Sequence, residues 1–262
     1  MTGVAFVAVA SLLLQASGPD AALTRAQKEA FLTNARIVHS RQIGRGITQP
    51  WRLTLSDGRL THDAAFQSID ERKLRVELRR GPEINFVDSW RYDVAAYRLA
   101  QLLGLEEMLP VTVERRWRGT VGALSWWIDT QMDELERTKK GIEPPDRDAW
   151  NRQMYRLRVF TELVNDTDRN LGNVLITPEW HIRMIDFTRG FRLWEKIREH
   201  ELVRCDRALL ERLALLTEED VARVTDRYLS RAEAHAILVR RDLIIEHFQR
   251  LIAQKGAAAV LY

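Results

Sequence analysis

Cysteine is nearly absent. Cys205 is the only one in 262 residues, which excludes a disulfide within the chain, a cysteine-built zinc cluster and a redox pair. The six histidines show no metalloprotease spacing. Charge of one sign is also lacking: 40 Lys and Arg stand against 37 Asp and Glu, and the formal charge of +3 is too slight to mark a nucleic-acid partner. The basic run Arg115-Arg116-Trp117-Arg118 reads as a solvated strand or helix face. There is no internal repeat and no low-complexity linker. Lysine is scarce through the first half, where Lys73 alone lies between Lys28 and Lys139.

A chain of this length with 45% hydrophobic residues can bury a substantial core, as one bilobed domain or two small ones. Its first twenty residues stand apart. Val4 to Leu14 is an apolar run of signal-peptide length, followed by Ala16, Ser17 and Gly18, and too short for an ordinary transmembrane helix. Met1-Thr2-Gly3 adds no lysine or arginine ahead of it. A cleaved signal or lipid-facing tether is favoured over a buried helix, so export or a periplasmic location, with membrane contact through the leader, is the expectation.

Beyond the leader, Thr24 to Asn34 reads as a helix. Arg36 to Ile43, Trp51 to Leu55 and Leu60 to Ile69 read as a three-strand meander, with Gly44-Arg45-Gly46 in its first connection and Asp57-Gly58 in its second. Asp88 to Leu103 carries apolar residues at helical spacing and stops at Gly104. Pro110 to Trp117 and Thr120 to Ile128 form a hairpin around Gly119. The second half is mainly helical: Arg147 to Val164, a helix opened by Thr217 to Asp220 with the look of a capping box, and the run Arg231 to Ala253. His181 is expected as an ordinary strand residue, His235 and His247 as surface or rim residues.

One loop carries chemistry. Asp168 and Asn173 are five positions apart, and Asp186 follows thirteen later, at the end of the apolar Met184-Ile185. Between them, Val174-Leu175-Ile176 and His181 to Ile185 flank a Thr-Pro-Glu turn and read as a short hairpin, which returns its two ends to one place. Phosphoryl transfer needs a carboxylate to orient or deprotonate the attacking hydroxyl and oxygen ligands for magnesium. Asp168 suits the first task, Asn173 and Asp186 the second. Turn composition alone also explains an Asp- and Asn-rich loop, and Asp166 with Asp168 could instead serve a hydrolase as paired acids.

The segment Asp168-Arg169-Asn170-Leu171-Gly172-Asn173, with Ile185-Asp186-Phe187 downstream, resembles the protein-kinase-like superfamily, closest to phosphoinositide kinases and to atypical secretory or bacterial kinases. Those families commonly read D-R-H-x-x-N and then I-D-F-G. Here Asn170 replaces the histidine and Thr188 the glycine. The resemblance implies an α+β, bilobed kinase-like fold, with a β-rich small lobe over residues 21–130 and a mainly helical large lobe over 131–262. It implies ATP and Mg as cofactors, Asp168 as base, Arg169 as the residue that orients the loop, and Asn173 and Asp186 as metal ligands. The connection near Asp129 to Met132 becomes the hinge, with Trp126, Trp127 and Ile128 beside an adenine, although adjacent tryptophans also suit a strand packed on both faces.

Such kinases place a lysine on the third strand and a glutamate on the following helix. Gln67 and Asp93 occupy those places here. Lys73, Arg45 and Arg72 are the substitutes on offer for a phosphate clamp. Gly44 and Gly46 would let backbone amides approach phosphates, though many hairpins use glycine with no ligand nearby. Arg189 follows the metal aspartate, placed to meet a phosphate or to pair with an acid. The expectation is an ATP- and Mg-dependent phosphotransferase acting on a hydroxyl of a protein, lipid or small molecule, with a pseudokinase as the alternative.

Overall fold

The computed structural model describes residues 23–44, 50–78 and 81–262. The apolar leader, Arg45 and Gly46 lie outside the described residues. Helix α1 (Arg25–Asn34) opens with a capping box in which Thr24 and Gln27 satisfy each other's backbone N–H. Strands β1 (Arg36–Gln42), β2 (Trp51–Ser56) and β3 (Thr61–Gln67) form the meander read from the sequence, and β7 (Thr120–Trp126) and β6 (Thr112–Trp117) extend it to a five-stranded sheet of order β1-β2-β3-β7-β6.

Pleating sends alternate residues to opposite faces. Leu53, Ala64, Phe66, Leu124 and Trp126 share one face, which α1 covers: Phe31 meets Trp126 edge-on at 5.7 Å, and Arg115 donates to the Leu32 and Ala35 carbonyls at the helix end. Ala123 points the other way and packs with Trp90 and Val94 at the start of helix α2 (Arg91–Leu103). Gln67 pairs with Ala123 across the sheet and so lies on the α2 face.

The expected helix start at Asp88 is corrected. Residues 70–89 form a two-stranded ribbon, β4 (Asp70–Leu78) and β5 (Gly81–Ser89), and α2 begins only at Arg91. Asp88 and Ser89 are residue types that cap helices, but the Ser89 hydroxyl donates to Asp70 Oδ1 at 2.7 Å and closes the ribbon, while its oxygen accepts the Arg91 N–H only at 3.4 Å. The ribbon was invisible to apolar patterning because its side chains are charged or solvent-facing, as at Glu71, Arg72, Lys73, Arg75 and Glu77.

The helical half is built round α4 (Arg147–Val164), N-capped by Asp146. A small sheet of β8 (Met132–Asp133), β9 (Val174–Ile176) and β10 (Ile182–Met184) carries the short hairpin. Helix α3 (Glu134–Lys140) lies against its β8 end, and α5 (Arg207–Leu215), α6 (Glu218–Thr225), α7 (Arg231–Lys255) and α8 (Ala257–Val260) complete this half. Thr217 and Asp220 form the expected capping box. Arg240 of α7 is fully buried and donates to the carbonyls of Leu163, Arg192 and Trp194, binding α4 to the segment after Asp186. His235 is exposed and His181 sits just ahead of β10. His247 departs from expectation: it is buried, with Nε2 2.7 Å from the Leu202 carbonyl. No helix among the described residues is long and apolar enough to cross a membrane.

Candidate active site

Helix α4 ends at Asn165, whose left-handed φ of 47° turns the chain into the loop. Asp166 then folds beneath it. Its side chain is wholly buried, with Oδ1 accepting the Asp168 N–H at 3.0 Å and Oδ2 2.5 Å from the Arg169 guanidinium. Asp168 is exposed. The two acids therefore do not face one substrate, as a paired-acid hydrolase would require, and Asp166 serves to build the loop.

Arg169 acts as a clamp. Beyond Asp166, it donates to the carbonyls of Asn173 at 3.0 Å, Ile185 at 2.6 Å and Asp186 at 3.4 Å, while its guanidinium lies 4.2 Å over the Phe187 ring. One side chain so joins the loop, the hairpin base and the Asp186 turn. It is a positioning group, directed at protein atoms rather than outward to a reacting one.

The hairpin performs the convergence its spacing promised. Strands β9 and β10 pair Val174 with Met184, and just below that pair the Ile185 N–H donates to the Asn173 carbonyl at 3.1 Å. Asn173 thereby lies beside the residue that precedes Asp186, and its Nδ2 donates to the Asp168 carbonyl at 3.4 Å. Asp168, Asn173 and Asp186 occupy one neighbourhood.

Asp186 adopts a left-handed φ of 58°, a conformation aspartate tolerates better than most residues but which needs support from its surroundings. Support comes from both sides: the Thr188 hydroxyl donates to Asp186 Oδ1 at 3.0 Å, and the next N–H, from Phe187, donates to Asp93 Oδ1 at 2.7 Å. Asp186 keeps a solvent-exposed face but is closely surrounded by protein atoms. This desolvation raises its pKa, against the pull of Thr188 and Arg169, and the charges of Asp166 and Asp88 raise it further. Burial pushes Asp93 up to about 8, and the neighbouring charges of Asp186 and Asp88 add to the shift.

Asp88 was not foreseen as part of this site. It sits at the end of β5, and its Oδ1 is buried with no hydrogen-bond partner among the described residues. The only sequence signal for it was an acid just ahead of a helix, which reads as a cap. Among the described residues no group of three His, Cys, Asp or Glu is arranged to hold a metal ion. A magnesium site in a phosphotransferase commonly uses one or two carboxylates with phosphate and water completing the shell, and the amide oxygen of Asn173 would be a further donor of the right chemistry. The mutual repulsion around Asp186 is what a cation would relieve, so these residues fit magnesium.

The nucleotide side is less regular. Gln67 turns its side-chain carbonyl onto its own backbone, accepting from Ser68 N–H at 3.0 Å and Ile69 N–H at 3.2 Å. Gly44 has open space around it and no left-handed φ, so the described structure does not demand glycine there. Lys73 pairs with Glu71 at 2.5 Å, and Arg72 lies 4.0 Å from Glu233. Trp127 follows the end of β7, its N–H donating to the Asp63 carbonyl at 3.0 Å, its carbonyl 3.1 Å from His62 Nε2, and its ring 4.1 Å beneath Arg52. Ile128 is half-buried in the connection that then reaches the small sheet, where Gln131 N–H donates to the Ile176 carbonyl at 2.9 Å. A cavity of about 430 Å³ lies to one side, between the β4–β5 ribbon, Phe191 to Trp194 and the start of α7; Asp168, Asn173 and Asp186 do not line it.

No protein-family model matches the chain, and no curated protein does. Among solved structures, that of hydra Fam20 with sugar matches 90% of this chain and 91% of its own, with a TM-score of 0.65 at 14% identity. With the element order above, this defines the class: the chain has the α+β, protein-kinase-like fold.

Proposed function

We propose that this protein is an ATP- and Mg-dependent phosphotransferase of the atypical, phosphoinositide-kinase-like type, acting on a hydroxyl acceptor. The observation that carries the reading is the hairpin that returns Asn173 to the residue before Asp186, with exposed Asp168 in the same neighbourhood. Asp168 orients the acceptor hydroxyl and takes its proton. Asn173 and Asp186 would hold magnesium, which would supply charge neutralisation at the phosphates. Arg169 keeps loop and hairpin in register, and Asp93 fixes the turn after Asp186 through the Phe187 N–H.

A protein, lipid or small molecule can supply the hydroxyl, and nucleic acid is not an expected partner. The solved neighbour was obtained with sugar, which makes a sugar hydroxyl the first acceptor chemistry to try. Export, if the leader directs it, would require a source of ATP outside the cytoplasm. The test is transfer of the γ-phosphate to a panel of saccharides, lipids and peptides, with Asp168→Asn beside the wild type. Acceptor-dependent incorporation lost in the variant supports the reading; equal incorporation in both defeats it.

One observation favours a second reading, a pseudokinase that binds nucleotide without transfer. Gln67 stands at the lysine position with its carbonyl spent on local backbone, and Lys73 and Arg72 lie against acids. That reading expects nucleotide to raise the melting temperature with no phosphate transferred.

A further inference from the structure

The β4–β5 ribbon is inserted between Gln67 and α2, and therefore between the places where a lysine and a glutamate would couple the small lobe to the site. The ribbon makes a different connection. Glu83 on β5 places Oε2 2.6 Å from the Arg189 guanidinium and Oε1 2.6 Å from that of Arg192, and all three side chains are about nine-tenths buried. Arg189 also lies 4.4 Å over the Phe86 ring. One carboxylate thus holds two guanidiniums of the segment that follows Asp186.

That segment is bonded in turn to both parts of the site. The Arg189 carbonyl accepts from the Thr167 N–H at 3.4 Å and from its hydroxyl at 3.2 Å, within the loop that carries Asp168. The Thr188 carbonyl accepts the Ser89 N–H of β5 at 2.9 Å, and the Thr188 hydroxyl reaches Asp186. We propose that Glu83 is a positioning residue for phosphoryl transfer, holding Arg189 and Arg192 so that the Asp186 turn and the Asp168 loop keep their register. Its catalytic consequence rests on the phosphotransferase reading; the mechanical link does not.

The electrostatics make the link strong in one direction. Removing the shared carboxylate leaves two buried cations facing each other, which is far worse than losing one exposed pair. Arg240, from the other side, holds the Arg192 and Trp194 carbonyls, so the strain falls on residues 186–191, between the two anchors.

The test is hydrogen exchange on the full chain, read at Thr167, Phe187 and Gly190, for wild type, Glu83→Gln and Arg189→Gln. Arg189→Gln keeps a balanced Glu83–Arg192 pair and serves if the first variant does not fold. Exchange at those three amides should quicken about tenfold in either variant, with the β6–β7 amides unchanged. In the same proteins kcat should fall about 100-fold while KM for nucleotide stays near wild type, the mark of lost alignment rather than lost binding. Unchanged exchange at Thr167 and Phe187, or an increase spread evenly over the chain, overturns the proposal. If wild type transfers no phosphate, the enzymatic reading fails by itself, and the exchange pattern still decides the link.

Discussion

Asp93 Oδ1 accepts the Phe187 N–H at 2.7 Å, so helix α2 holds the backbone next to Asp186 through a carboxylate that Asp186 itself repels. The contact joins residues 94 positions apart. Bonded to that amide, the Asp93 side chain steadies the left-handed turn.

The first consequence is a pH dependence. Burial, then the charge on Asp186, raises Asp93 to about 8 from 3.8, so the folded protein keeps a proton that the unfolded chain has already released. Between about pH 4 and 8 the unfolded state binds fewer protons, and stability falls as pH rises through that window. Melting temperature without divalent cation should decline from about pH 5 to about pH 8, and Asp93→Asn should flatten the decline while retaining an acceptor for Phe187. A wild-type profile that rises over the same range contradicts the assignment.

Arg169 and Asp166 form a pair whose side chains are 6% and 0% exposed. Arg169→Met leaves Asp166 charged without its partner and frees the Asn173 and Ile185 carbonyls. A loss of about 3–5 kcal/mol is expected in urea unfolding, the range for breaking a buried pair on one side. A loss under about 1 kcal/mol, typical of an exposed pair, would show that the clamp is not made.

Asp168 should separate stability from activity. As an exposed loop residue, its change to Asn should shift stability by no more than about 0.5 kcal/mol. Loss of a general base lowers kcat by about 10²–10⁴-fold. Activity and melting temperature measured on one preparation check both halves.

Gly122 allows β7 to approach β3. A Cβ there would meet the Gln67 carbonyl at 2.4 Å and the Phe66 ring at 2.8 Å. Gly122→Ala should destabilise by about 1–3 kcal/mol by overpacking. Because the strain acts at Gln67, nucleotide-induced stabilisation should weaken with it. A thermal melt that matches wild type would show that the strands have room to part.

Helix α4 and the β9–β10 hairpin were legible because local rules agree over them. Apolar residues recur at helical spacing from Arg147 to Val164, and Pro178 turns the chain between two short apolar runs. The ribbon at residues 70–89 was illegible for the opposite reason. Its strands bury little, and its contribution is made by Glu83, whose partners lie more than 100 residues away. The kinase resemblance pointed to Asp93 but not to its bond with Phe187, and the sequence offered no reason to suspect Asp88. Spacing revealed the candidate ligands that share one loop and hairpin. Those that arrive from another element were visible only once the chain was folded.

The most direct test of the account is ATP turnover with magnesium in the purified protein and in Asp186→Ala, followed together with melting temperature. Magnesium-dependent stabilisation by ATP and measurable phosphate transfer, both lost in the variant, are the predicted result. Turnover of wild-type magnitude in Asp186→Ala would contradict the assignment of Asp186 and the site built around it.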